Sequence, residues 1–259
     1  MAEYSTIELQ KELLKLLQIV HDICVENEIN YTLHGGTLLG AVREKGFIPW
    51  DDDADIALFR EDYERLKAII VSKSSEDFYF DCDRDKAKKI WLKQEGKPTV
   101  WVDIFIYDYI SERKSIQKRK FMALKLLSAF AKSKTTMTQF RINQRAKGFE
   151  RIVYEAIYWM SRPIPLKTRI RLTDMVCEKW FTGGKLFVHR ANDQLWAMPM
   201  VLKVSDMKNY LIVPFENTEL MISKNYDEIL TQLYGRDYMV PKKASSNQTE
   251  VHNISRNNS

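Results

Sequence analysis

Four carboxylates stand within five residues, at Asp51, Asp52, Asp53 and Asp55, and the apolar run Ile56–Phe59 follows at once. Acids this close repel one another, and setting them against a core is costly unless positive charge is supplied. In an extended strand, residues two apart share a face, roughly 6.6–7 Å apart along the chain. Asp53 and Asp55 therefore point one way, and Ala54 and Ile56 the other. With no His or Cys beside them, their hard oxygens suit Mg2+ or Mn2+ better than zinc. Holding two ions about 3.5–4 Å apart takes a third acid. Asp103, a lone acid between Val102 and Ile104 in "WVDIFIYD", is the candidate. These three acids form the expected catalytic and metal set.

Gly35-Gly36 precedes them. Glycine lets backbone approach a phosphate closely, and the helix expected from Thr37 presents free N–H groups and a positive dipole end. Gly35, Gly36 and Thr37 are thus candidate substrate-binding residues, with Arg43 and Lys45 just beyond as candidate grips on phosphate oxygens. Trp50, Asp51 and Asp52 complete that candidate set, each with a rival role. Asp51 shares the face of Asp53 if the strand starts early; otherwise it caps the turn after Pro49-Trp50. Trp50 either stacks a base or an ammonium group, or packs at the entrance of the motif. His34 either touches phosphate or is a satisfied structural histidine. A calcium loop would also place acids at Asp51, Asp53 and Asp55, but it needs glycine where Ile56 stands.

The elements that must hold these residues are readable from periodicity. Ser5–Glu28 has apolar residues at helical spacing, and Ile29–Leu33 reads as extended. Thr37–Glu44 reads as a short helix and Asp53–Phe59 as a strand. Glu61–Val71 is again helical. Phe78–Cys82, Lys89–Lys93 and Thr99–Tyr107 read as strands, the last two joined by a turn at "EGKP". Beyond Ile110 the chain becomes basic and helical. Lys114–Lys134, Phe149–Met160 and Leu166–Phe181 are expected helices, broken at "SRPIP" and "TGG", and a mixed region runs to Pro241. The expected organisation is a core over 1–110, a basic amphipathic region over 111–182 and a closing segment packed on the core over 183–241. A flexible polar tail over 242–259 carries two sequons, at Asn247 and Asn253.

The chain has 259 residues, 45% hydrophobic, with net charge +5. Such a length buries roughly 70–75% of the unfolded surface. No signal peptide is evident at Met1–Gln10, and no apolar run reaches the roughly 20 residues of a membrane span. Cys24, Cys82 and Cys177 have no zinc-finger spacing and read as reduced, buried thiols. Residues 111–151 hold twelve Lys/Arg against two acids. That basic stretch, mixed with aromatic and aliphatic residues, suits an anionic membrane surface. A solvated helix face is the plainer reading. Nucleic acid is not expected, since no recognised module is visible.

The stretch "HGGTLLGAVREKGFIPWDDDADIAL" resembles the LicD family of phosphotransferases, related to the fukutin group. The likeness extends through "REDYERL" and "VDIF", and weakly to "LTQLYGRDYMVP" at Leu230–Pro241. Two departures are Ala54, where the family commonly has Ile or Val, and "VPKK" in place of a Pro-Pro ending. The resemblance implies an α/β (α+β) fold with a nucleotidyltransferase-like mixed sheet and a basic helical insertion. It implies transfer of a phospho-alcohol, typically phosphocholine from CDP-choline, to a hydroxyl of a cell-surface glycan or teichoic acid precursor. The acceptor would be lipid-linked, and the protein cytoplasmic and peripheral on the inner face of the plasma membrane. Asp53 and Asp55 would bind the metals. Asp103 would complete the site and take the proton of the attacking hydroxyl. Gly35, Gly36 and Thr37 would cradle the donor's phosphates. Rivals are a nucleotidyltransferase acting on RNA, protein or a small molecule, a glycosyltransferase, and a non-catalytic membrane adaptor. The sequence names neither the alcohol nor the acceptor sugar.

Overall fold

A computed structural model describes residues 4–81, 88–142 and 147–241. The expectations on Cys82 and on the tail from Lys242, with its sequons, lie outside these residues. Helix α1 (Thr6–Glu26) starts at a capping box. Ser5 Oγ accepts from the Glu8 amide at 3.3 Å while the Glu8 carboxylate accepts from the Ser5 amide at 2.8 Å. Two orphan donors are thereby satisfied. Its stripe Leu13, Leu16, Leu17, Val20 and Cys24 is fully buried. Each large apolar side chain so buried contributes about 1.5–3 kcal/mol.

Next come β1 (Thr32–Leu33), α2 (Gly35–Arg43), β2 (Asp55–Phe59) and α3 (Arg60–Ser72). The strands β3 (Phe78–Asp81), β4 (Lys88–Leu92) and β5 (Val100–Ile110) follow. The helical stretch consists of α4 (Lys114–Phe130), α5 (Lys134–Ile142), α6 (Gly148–Ser161) and α7 (Leu166–Lys179). The helix expected over Lys114–Lys134 ends at Phe130, and α5, which was not expected, follows it. The chain turns at 131–133, where Ser133 Oγ accepts from the Thr136 amide and starts α5. The closing stretch holds β6 (Phe187–Arg190), β7 (Val201–Lys203), α8 (Val204–Met207), the hairpin β8 (Tyr210–Phe215) and β9 (Thr218–Ser223), and α9 (Tyr226–Tyr234).

The fold is mixed α/β of the α+β kind. One sheet runs β1-β2-β5-β4-β3, with β6 on β5 and β7 on β6. β2 and β5 are parallel; the other pairings are antiparallel. Long β5 is the spine. One edge carries β2; the other is shared, with β4 against Val100–Ile104 and β6 against Tyr107–Ile110. Between those partners the Asn192 side chain bridges the edge. Its Oδ1 accepts from the Ile106 amide and its Nδ2 donates to the Ile104 carbonyl, both at 2.8 Å. The core lies between α1 and the face bearing Ile56, Val100, Val102 and Ile104.

The helices hold together partly through buried cations. Lys120 Nζ donates to the carbonyls of Tyr109 and Cys177, both at 2.8 Å. Arg169 donates to the carbonyls of Ile164, Phe130 and Lys132 and to Ser161 Oγ. These satisfy chain ends that α4 and α6 leave open. Some of the positive charge of this region is therefore internal. Cys24 and Cys177 are buried, and burial pushes the Cys24 thiol up to about 12. Among the described residues no helix is long and apolar enough to cross a membrane.

Candidate active site

Strand register brings the acids together. Asp55 opens β2 directly opposite Asp103 on β5. The Asp103 amide donates to the Ala54 carbonyl at 2.9 Å, so extended pairing continues back past Asp55. Ala54 and Ile56 are fully buried in the core, and Asp53 and Asp55 stand on the other face, half-buried. Asp51 joins them. Its carboxyl abuts that of Asp53, and Oδ2 is buried with no hydrogen-bond partner. Asp52 is buried.

Burial, then the charge of Asp53, pushes Asp51 up to about 8. Burial, then Asp53, Asp103, Asp51 and Asp193, raises Asp55 well above the ordinary carboxylate range. Burial raises Asp103 too, opposed by Lys89 and reinforced by Asp53. Every one of these donors is a hard oxygen, and their shared repulsion is what a divalent cation would relieve, so the set fits one in its chemistry. Among the described residues no three His, Cys, Asp or Glu side chains converge as a finished cage.

The glycines have a role the sequence did not suggest. The helix starts at Gly35 rather than Thr37, after His34. Gly35 has φ +55°, and a Cβ there would stand 2.6 Å from Asp55 Oδ2; a Cβ on Gly36 would run into Asp51 Oδ2. What approaches the two glycines here is a pair of carboxylates. Both rest on the first turn of α2, whose positive end favours anions. Thr37, fully buried, accepts from the Asp55 amide through Oγ1 at 2.9 Å, and the His34 amide donates to the Asp55 carbonyl at 2.9 Å. Asp55 is thus held on both sides of its backbone.

Arg43 and Lys45 are not brought to this end. Nine helical residues put the far end of α2 about 12 Å away. There Arg43 pairs with Glu44 at 2.6 Å and donates to the Tyr238 carbonyl at 3.3 Å. The exposed Lys45 lends its carbonyl to the Glu216 amide at the tip of the β8–β9 hairpin. That hairpin and Gln10 set the acidic loop. Glu216 accepts from the Phe47 amide, and Gln10 Nε2 donates to the carbonyls of Ile48 and Asp51. The Asp51 amide closes a turn on the Ile48 carbonyl, so its backbone serves the turn while its carboxyl faces Asp53. Trp50 is 43% exposed beside it.

Sequence reasoning missed several neighbours. Lys89 stands across from Asp103 in the β4–β5 register and reaches its Oδ1 at 3.4 Å, while lying 4.1 Å from the Trp101 ring centre. Trp101 Nε1 donates to Asp103 Oδ2 at 3.1 Å. Asp193 bears on Asp55 and pairs with Arg190 at 2.6 Å. His34 is buried, 3.9 Å from Asp193 and against Phe105, and burial followed by Arg190 holds it well below the usual histidine range. Burial thus favours its neutral form, and its Nδ1 is buried with no hydrogen-bond partner. Tyr234 of α9 also faces the cluster, its hydroxyl raised by burial and then by Asp55, Asp51 and Asp53. It falls inside "LTQLYGRDYMVP", a signal that was available.

Residues 28–148 match the model of the LicD/FKTN/FKRP nucleotidyltransferase domain. The lipopolysaccharide cholinephosphotransferase LicD of Haemophilus influenzae is 27% identical over 92% of this chain and 93% of its own length. An uncharacterized protein of Rickettsia prowazekii is 30% identical over 44% of this chain and 48% of its own. An uncharacterized protein of Caenorhabditis elegans is 38% identical over 25% of this chain and 17% of its own.

Proposed function

We propose that the chain, whose residues 28–148 match the LicD/FKTN/FKRP nucleotidyltransferase domain, is a phosphotransferase. It moves a phospho-alcohol, phosphocholine from CDP-choline, onto a hydroxyl of a cell-surface glycan precursor. The observation that carries this reading is the in-register pair Asp55 and Asp103, with Asp53 on the same face and the start of α2 beneath them. The name of the Haemophilus influenzae relative supports both the choline phosphate and a lipopolysaccharide-type acceptor.

Phosphoryl transfer asks a protein mainly for positioning and charge neutralisation. The first turn of α2, at Gly35, Gly36 and Thr37, sets its positive end beneath the acids, where it would favour the phosphates that a metal held there would bring. Asp53, Asp55 and Asp103 would hold Mg2+ or Mn2+, which when bound neutralises the phosphate oxygens in transit. Asp103, beside the other two acids, is the carboxylate assigned to take the proton of the attacking hydroxyl. Lys89 and the Trp101 indole hold the Asp103 carboxylate in place for that task.

We also place the protein on an anionic membrane surface. The support is one stripe of α6, where Phe149, Ile152, Trp159 and Met160 are each more than 60% exposed, with Lys147 and Arg162 at its ends. Exposed apolar side chains beside cations suit a lipid interface.

The test of the activity is thermal stability with and without Mg2+, against CDP-choline, other CDP-alcohols and nucleoside triphosphates. A Mg2+-dependent rise with CDP-choline supports the reading. A rise with triphosphates alone replaces it with nucleotide addition.

A further inference from the structure

A cavity of about 440 Å3 lies between the helical stretch and the loop joining β6 to β7. This is within the roughly 300–1,000 Å3 of small-molecule sites. Its wall includes Lys132, Phe140 and Tyr154 on the helical side and Asp193, Gln194 and Trp196 on the loop side. The loop is fixed. Asn192 is bonded into the edge of β5, and the Gln194 amide donates to Asp193 Oδ1 at 2.6 Å. Trp196 is 58% exposed, yet its Nε1 donates to Gln194 Oε1 at 3.0 Å, which sets the indole at the rim. Asp193 belongs to two places at once. It lines the cavity, and its carboxylate lies 3.9 Å from His34, whose amide donates to the Asp55 carbonyl.

The chemistry of the wall selects its occupant. A quaternary ammonium wants open aromatic faces and no competing cation. Here Phe140 is already stacked on Tyr154, ring centres 5.1 Å apart, and Lys132 Nζ lies 5.0 Å from its centre. An acyl chain would pack on Leu195 and Met198, but it would bury Lys132 and Asp193 against hydrocarbon, which is unfavourable. A sugar ring meets neither objection. Its C–H face packs on an indole while its hydroxyls bond to an ammonium, a carboxylate and an amide.

We infer that this cavity is the acceptor subsite and takes a saccharide ring, stacked on Trp196 and hydrogen-bonded by Lys132, Gln194 and Asp193. The inference rests on the phosphotransferase reading for the word acceptor. The saccharide itself follows from the wall. A ring seated there lies against Asp193, whose carboxylate is 3.9 Å from His34 at the start of α2. Lys132 further favours a ring carrying a carboxylate or phosphate.

Saturation-transfer NMR on the full chain tests it with four probes: neutral methyl hexosides, a methyl uronide, choline chloride and CMP. A glycoside should bind, and Trp196→Ala and Lys132→Leu should each weaken it by about tenfold or more. Trp180→Ala, at an exposed indole on the end of α7, should leave it unchanged. In a transfer assay Trp196→Ala should raise KM for the acceptor and not for CDP-choline. Absence of glycoside binding overturns the inference, as does choline or CMP binding that Trp196→Ala abolishes. Glycoside binding needs no turnover. If a glycoside binds at Trp196 while CDP-choline is never consumed, the phosphotransferase reading falls and the saccharide site stands.

Discussion

Replacing Gly35 with alanine separates the backbone cost of the position from its service to Asp55. In an ordinary helix Gly→Ala stabilises by about 1 kcal/mol. Here the sign reverses, because φ is +55° and a side chain in the left-handed region costs about 1–2 kcal/mol. The new Cβ would stand 2.6 Å from Asp55 Oδ2, so the carboxylate must retreat by about 0.8 Å to reach ordinary contact at 3.4 Å. The Asp55 backbone cannot give way easily, being held by Thr37 Oγ1 and the His34 amide. The carboxyl therefore rotates out of its place. A misplacement near 1 Å costs about 10²-fold in rate. We expect kcat/KM for CDP-choline to fall about 10²-fold while Tm falls by only about 2–8 °C. Gly96→Ala is the control. It has φ +72° and nothing within 4 Å, so it shares the backbone cost and should keep full activity. Activity within about threefold of wild type in Gly35→Ala would refute the role assigned to this glycine.

Asp108 accepts two hydrogen bonds from Arg60, both 2.7 Å and buried. Asp108→Ala leaves that buried guanidinium to the half-exposed Glu64, 3.6 Å away, and should cost about 3 kcal/mol in urea unfolding; a loss under about 1 kcal/mol contradicts the pairing. Burial raises Asp51 to about 8 and raises Asp55 and Asp103 above an unfolded value near 4, so these acids bind more protons in the folded chain, while His21 and His34, lowered by burial, bind fewer below about 6.5. Above the histidine range the acids dominate, so stability in EDTA should fall as pH rises from about 6.5 to about 8, and Mg2+ should flatten the fall; a metal-free Tm that climbs across this range refutes the electrostatics of the cluster. Phe149→Ser with Trp159→Ser should reduce flotation with anionic liposomes by about tenfold or more; unchanged flotation, or none by wild type, ends the membrane placement of α6.

The acids were legible because alternation in a strand is local. Asp53 and Asp55 on one face, Ala54 and Ile56 on the other, needs no tertiary knowledge, and α1 follows from its apolar period. Lys89 was half legible. "EGKP" marks the hairpin, but only the register decides that Lys89 meets Asp103 rather than a neighbour. Asp193 and Arg190 carry no local signal; they reach Asp55 because β6 returns to the edge of β5 some 80 residues later in the chain. Arg43 was misplaced by reading proximity in sequence as proximity in space, when nine helical residues already separate it from Gly35. Gly35 and Gly36 were correctly singled out for close approach, yet carboxylates make that approach here. The basic stretch looked like surface throughout, whereas Lys120 and Arg169 are buried and serve carbonyls. A buried cation is visible only once the chain ends it satisfies are placed around it.

The most direct measurement is release of CMP from CDP-choline in the presence of Mg2+ and a glycan acceptor, for wild type and for Asp53→Asn, Asp55→Asn and Asp103→Asn. The account predicts Mg2+-dependent release by the wild type and a loss of about 10³-fold or more in each variant with the fold intact by circular dichroism. Near-normal release by any one of the three, or pyrophosphate from CTP with no CMP from CDP-choline, would contradict it.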